Sequence, residues 1–179
     1  MLLNSHYSYN PQIYLKPSFR GVSSSIKNFQ KVDDCLYRGG NPTLEQLRQL
    51  KKQGFSTIVS FRTGYQGNEF DEAQAVKALG MKHIHLPFIS WDNPPENHVS
   101  TFFANIEQAK SKGEKVFIHC THGKDRTGLF SAMYKLTYGL DNIDDCIREM
   151  FKLGHNATEN PNLIPYLRNF AQKLPQRRI

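Results

Sequence analysis

The stretch Lys115-Val-Phe-Ile-His119-Cys120-Thr121-His122-Gly123-Lys124-Asp125-Arg126-Thr127-Gly128 constrains this chain's fold more than any other. Val116, Phe117 and Ile118 form a short apolar run, the pattern of a strand buried on both faces of a parallel sheet. Small and polar residues follow, and then Leu129, Phe130, Met133 and Leu136 recur at helical spacing. Cys120 therefore stands where a strand ends and a helix begins, with five residues between it and Arg126.

A loop entering a helix N-terminus aims several backbone N–H groups at one spot, and the helix dipole adds positive potential there. Such a nest suits a tetrahedral dianion and favours thiolate over thiol. Arg126 closes the loop with a rigid fork of donors able to hold two phosphate oxygens. Gly123 lets the backbone turn tightly around an anion. Thr127 is placed to hydrogen-bond the sulfur and stabilise it as a leaving group. A nucleophile, an anion cradle and a bidentate clamp in one loop imply phosphate transfer.

The rest of the chain repeats one unit. Asn41-Pro42-Thr43 opens a helix lined by Leu44, Leu47 and Leu50, Gly54 closes it, and Thr57 to Phe61 follows as a strand. Asn68, with Glu69, Asp71 and Glu72, opens a helix lined by Phe70, Ala73, Val76 and Leu79; Gly80 closes it, and Lys82 to Leu86 is the next strand. Asn93-Pro94-Pro95-Glu96 reads as a cap, a proline at the first helical position and a glutamate at the third. That helix is lined by Val99, Phe102, Phe103 and Ile106; Gly113 closes it before the strand Lys115 to His119. Each glycine takes the left-handed C-cap position, after lysine in the last turn. Alternating helices and strands imply an α/β fold with a central, mostly parallel, twisted sheet flanked by helices and right-handed crossovers. Ligands in such sheets sit beyond the carboxyl ends of the strands, where Cys120 falls. Two further helices, capped by Asp141 and opened by Asn160-Pro161, read as a cover on the sheet.

A chain of 179 residues is expected to form one domain with a sizeable core. Residues 1–30, rich in Ser, Asn, Tyr and Pro, read as a partly ordered arm, 31–174 as the catalytic domain and 175–179 as a tail. No apolar run approaches the roughly 20 residues of a membrane span, and no secretory signal pattern opens the chain. Three cysteines make no disulfide framework. A cytoplasmic, reducing setting is the expectation, with secretion lacking an N-terminal signal left open. The net charge of +7 suits acidic partners, yet no basic run with interleaved aromatics favours nucleic acid.

The segment His119-Cys120-Thr-His-Gly-Lys-Asp-Arg126-Thr127-Gly128 resembles the HCxxGxxRT/S signature of the cysteine-dependent protein tyrosine and dual-specificity phosphatases. Leu36-Tyr37-Arg38-Gly39-Gly40-Asn41-Pro42 is similar to a stretch that opens many compact members, and the resemblance covers roughly residues 32–172. It implies a dual-specificity-phosphatase-like domain in which Cys120 attacks phosphorus. Arg126 and the loop Thr121, His122, Gly123, Lys124 and Asp125 would bind the phosphoryl oxygens, Thr127 would assist hydrolysis and His119 would orient the loop and tune the thiol. It further implies a monomer that needs neither metal nor cofactor, acting on phosphorylated protein or on phosphoinositide.

A general acid must protonate the leaving oxygen. Asp92, in the loop Pro87 to Pro94 after a parallel strand, is the candidate; Asp125, inside the phosphate loop, is the rival, and Glu96 reads better as a capping residue. Lys124 and His122 are either solvated loop residues or readers of additional phosphates. Arg62 reads equally as a residue near the site or as a partner of Glu69 or Asp71, and Arg38 reads as a buried structural pair. Cys35 and Cys146 read as small core residues. Two rival classes stay open: a rhodanese-like sulfurtransferase, against which the Arg126-Thr127 ending argues, and a phosphate-binding module without turnover.

Overall fold

A computed structural model describes residues 25–64 and 71–175. Among these residues five strands and six helices follow in order: β1 Gln30–Lys31, β2 Leu36–Gly39, α1 Leu44–Lys52, β3 Phe55–Ser60, α2 Glu72–Ala78, β4 Lys82–His85, α3 Glu96–Ser111, β5 Lys115–His119, α4 Arg126–Tyr138, α5 Ile143–Lys152 and α6 Leu163–Lys173. The sheet order is β1-β2-β5-β3-β4. β2, β5, β3 and β4 run parallel, and the two-residue edge strand β1 is antiparallel to β2.

Strand periodicity divides the core. Val116 and Ile118 of β5 join Leu36 and Val59 in a cluster under α3 to α6, whereas the intervening Phe117 joins Tyr37 and Ile58 under α1 and α2. Helices thus cover both faces, and β5 is central, as its continuous apolar run requires. The chain passes from β2 through α1 to β3 and through α2 to β4, then returns across the other face through α3 to β5. The reversal leaves the carboxyl end of β5 at a switch point of the sheet, where no crossover covers it.

The three helix–glycine–strand units form as expected, with Gly54, Gly80 and Gly113 all at positive φ. Several caps differ. Asn142, not Asp141, caps α5, because its side chain accepts from the Asp144 and Asp145 amides while Asp141 takes the Asn142 amide. Helix α3 starts at Glu96 without a side-chain cap, because the cap position falls on Pro95, which has no side-chain acceptor, and not on Asn93. Helix α6 begins after Asn162 rather than Asn160, which is buried and bonded to the Asn156 carbonyl. Thr43 forms the capping box of α1 with Gln46. Strands β1 and β2 had no period to reveal them. β3 begins at Phe55, two residues ahead of the expected Thr57, and ends at Ser60. Within the expected N-terminal arm, Ile26 is buried beside Gly39, in the cluster that holds Phe117. Asn68, Glu69 and Phe70, the first 24 residues and residues 176–179 lie outside the described part.

Candidate active site

Cys120 leaves the end of β5 almost fully buried, and residues 121–125 turn into α4, whose first residue is Arg126. The turn is held from behind by its carbonyls. The Thr121 carbonyl accepts from the Asn41 amide at 3.1 Å, that of His122 from the Asn28 side chain at 3.0 Å, and that of Gly123 from the Arg38 guanidinium at 2.7 Å. In a trans peptide the next N–H points the opposite way. The amides of His122, Gly123 and Lys124 are therefore turned to the inner side, and none of the amides from Thr121 to Arg126 donates to a described residue. Backbone donors without a protein acceptor are the makings of an anion site.

Gly123 has φ of 72°, and a β-carbon there would lie 2.4 Å from the Gly39 carbonyl carbon and 2.6 Å from the Gly40 nitrogen. Both the left-handed backbone and the packing of the loop on Gly39–Gly40 demand glycine.

Arg126 is fixed along one edge. Its Nη1 donates to the carbonyls of Phe61 at 2.8 Å and Phe88 at 3.3 Å, and its Nη2 to the Thr121 hydroxyl at 3.4 Å. Its Nε is buried and has no partner among the described residues. The Thr127 hydroxyl is likewise buried and unpartnered among them, so the expected bond to the Cys120 sulfur is not formed here. Thr121 and His122 are exposed on the rim, and Lys124 lies 3.8 Å from Asp125.

The two candidate acids have unlike surroundings. Asp125 turns away from the cradle to accept from His155 Nδ1 at 2.7 Å and the Asn156 amide at 3.2 Å. Burial opposes its ionisation, but those hydrogen bonds and Lys124 outweigh burial and hold the carboxyl below its ordinary range. A carboxylate so engaged is a poor proton donor. Asp92 is exposed, four residues beyond the Phe88 carbonyl that touches Arg126. Its loop is tied down by Phe88 packing on Phe61 and Phe130, and by the Asn162 side chain donating to the Trp91 carbonyl. Glu96 is exposed at the start of α3.

Two supporting residues exceed their expected parts. Arg38 does form the buried pair, with Glu149 at 3.1 Å, but it also holds the loop carbonyl of Gly123. His119, fully buried, bonds Glu72 at 2.6 Å. Glu72 had read only as a helix-opening acid, and nothing in its local sequence marks it otherwise. Arg62 donates to Asn41, next to the loop, at 3.2 Å. Cys35 and Cys146 are buried, and burial pushes their thiols up to about 11 and about 12. Among the described residues, no cluster of three or more His, Cys, Asp or Glu side chains is placed to hold a metal, and no helix is long and apolar enough to cross a membrane.

A parallel sheet delivering a cysteine into a five-residue turn, closed by an arginine on the following helix, is the architecture of the cysteine-dependent phosphatases. Residues 12–162 match the family described as "DSP-PTPase phosphatase fused to NAD+ Kinase", and the chain belongs to that family. It is similar to the dual specificity protein phosphatase TpbA of Pseudomonas aeruginosa, 28% identical over 117 residues that make up 65% of this chain and 50% of TpbA. The chain thus spans about half the length of the curated relatives it matches. Among solved structures, a putative phosphatase (DUF442) from Shewanella putrefaciens CN-32 superposes with a TM-score of 0.71 at 24% identity, over 86% of this chain and 94% of that one. PTPMT1, in a complex with PI(5)P, superposes with a TM-score of 0.66 at 13% identity, over 81% and 97%. At these identities the superpositions show a shared fold.

Proposed function

We propose that the chain hydrolyses phosphomonoesters of phosphotyrosine, and of phosphoserine and phosphothreonine, in proteins through a phospho-cysteine intermediate. The observation that carries this reading is the loop itself: three carbonyls tied from behind, the amides of residues 121–126 left to one ligand, and the Arg126 Nε unpartnered beside them. Cys120 Sγ attacks phosphorus while the amides and Arg126 take the charge on the non-bridging oxygens. Asp92 gives its proton to the leaving oxygen as the P–O bond breaks. Water, deprotonated by the same Asp92, then attacks the phospho-cysteine, expelling Sγ as thiolate and releasing inorganic phosphate. Thr127 rotates to donate to that sulfur.

A second reading, hydrolysis of a phosphoinositide, is favoured by a specific feature. Ile89 and Trp91, 44% and 62% exposed, stand on the loop that carries Asp92, in a chain of net charge +7. Exposed apolar side chains beside a cationic site suit an anionic lipid surface. Phosphate release from phosphotyrosine and phosphothreonine peptides, phosphoinositides and soluble inositol phosphates, with Cys120→Ser as the blank, tests both readings. Turnover of peptides above all lipids supports the first, the reverse order supports the second, and release equal to the blank on every substrate overturns both.

A further inference from the structure

Glu72 has no part in the reaction above, yet it is 7% exposed, and its Oε1 lies 2.6 Å from Nε2 of His119, the residue before the nucleophile. The other ring nitrogen, Nδ1, lies 3.4 Å from the Cys120 carbonyl oxygen. A carboxylate oxygen and a carbonyl oxygen only accept. An imidazole facing both satisfies them only when both its nitrogens carry protons. The ring is fully buried and stacked on Phe117 at 5.9 Å, so it cannot turn to water instead.

We propose that Glu72 is a positioning residue that holds His119 as an imidazolium, and so keeps a positive charge on the peptide unit adjoining Cys120. The inference rests on Cys120 being the nucleophile. The surrounding charges fit. On Glu72 itself, the same oxygen lies 3.6 Å from Nε2 of His83 on β4, and Arg62 and His85 line the same small cavity. Burial opposes ionisation of Glu72, but the charge and hydrogen bond of His119, with His83 behind them, outweigh it and hold the carboxyl well below its ordinary range. Behind the phosphate loop, the charge of Arg38 is answered by Glu149, whereas Arg126 caps its front. His119 thus adds a buried cation on the strand side, and Glu72 supplies the counter-charge that lets a histidine stay protonated with no access to water.

The test uses the full chain and reads Cys120 directly, by iodoacetate alkylation of its peptide as a function of pH. Glu72→Gln keeps the shape and removes the charge. The alkylation midpoint is expected to move up by about one pH unit, and the acidic limb of kcat/KM is expected to move with it while the plateau kcat stays within about twofold. Adding Glu72→Gln to His119→Asn is expected to move the midpoint no further, which a merely structural role would not produce. Nitrogen NMR of the unmodified protein gives an independent reading that holds even if a variant fails to fold: both His119 ring nitrogens are expected to be protonated at pH 7. An unmoved midpoint in folded Glu72→Gln, or a neutral His119 ring, overturns the inference. Alkylation needs no turnover, so a protein inactive on every phosphoester would overturn the proposed function without touching this result.

Discussion

The Arg38 guanidinium donates to the carbonyl of Gly123 at 2.7 Å, across 85 residues of sequence. The same side chain pairs with Glu149, and it is 1% exposed. Removing one partner of a buried pair costs about 3 kcal/mol or more, because the other is left without compensation. Arg38→Met is therefore expected to lower the urea unfolding free energy by about 3 kcal/mol. Activity should fall further than the loss of folded protein explains, since the Gly123 peptide is freed to turn. Equal losses of folded fraction and activity would mean that Arg38 does not shape the loop.

Gly123→Ala meets two obstacles, a positive φ and a β-carbon 2.4 Å from the Gly39 backbone. The loop must move off the Gly39–Gly40 segment, and the inward amides move with it. Losing even one preorganised donor costs about 10²-fold or more in turnover, so kcat/KM is expected to fall by at least that factor. Orthovanadate, a phosphate mimic, is expected to bind correspondingly more weakly in calorimetry.

Asp92 and Asp125 separate by leaving group. Asp92→Asn is expected to lower kcat by about 10²-fold on phenyl phosphate, and far less on 4-nitrophenyl phosphate, whose leaving oxygen needs no proton. Asp125→Asn should reduce both substrates alike, because its carboxylate ties the loop to His155 and Asn156. The opposite pattern would give Asp125 the acid role.

Asp125 also makes an acid-stability prediction. Its folded pKa lies below the unfolded value of about 3.9. Its contribution is thus fully present above pH ~4 and is lost as pH falls through the lower folded value. Urea midpoints measured from about pH 6 down to about pH 2 should show wild type above Asp125→Asn at the upper end and the gap closing at the lower end. A gap independent of pH would show that the His155 contact contributes through shape alone.

The buried cysteines give a chemical check. Burial pushes Cys35 to about 11 and Cys146 to about 12, so neither holds appreciable thiolate at pH 8. Alkylation of the native protein at that pH is expected at Cys120 alone. Cys35→Ala and Cys146→Ala are expected to leave its rate unchanged.

What the sequence disclosed follows the range of the interactions. β5, the turn and the start of α4 were legible because a continuous apolar run, a glycine and a helical period lie side by side. The helix–glycine–strand units were legible for the same local reason. Caps were less so: Asp141 and Asn142 carry equally suitable side chains, and only the approach of the chain decides which meets the Asp144 amide. β2 is four residues long with an arginine in it, which no period betrays, yet pairing with β5 buries all four. Glu72, Asn28 and the second bond of Arg38 were invisible because each acts on a residue 47 to 94 positions away. A contact of that kind, 30 positions along the chain, also engages Asp125 with His155 and is what favours Asp92 as the proposed acid.

The three carbonyl contacts behind the phosphate loop come from residues 28, 38 and 41, a run of chain that must be in place before the turn can take its shape. The signature segment carries the reactive groups but not the instruction for their arrangement. A fragment beginning after Asn41 would keep Cys120, Arg126 and Thr127 and lose the means to orient the amides between them. β2 and the residues flanking it therefore work as an assembly check: the thiol meets a formed cradle only once β2 has paired with the central β5, so a chain lacking that pairing carries the motif without its arrangement.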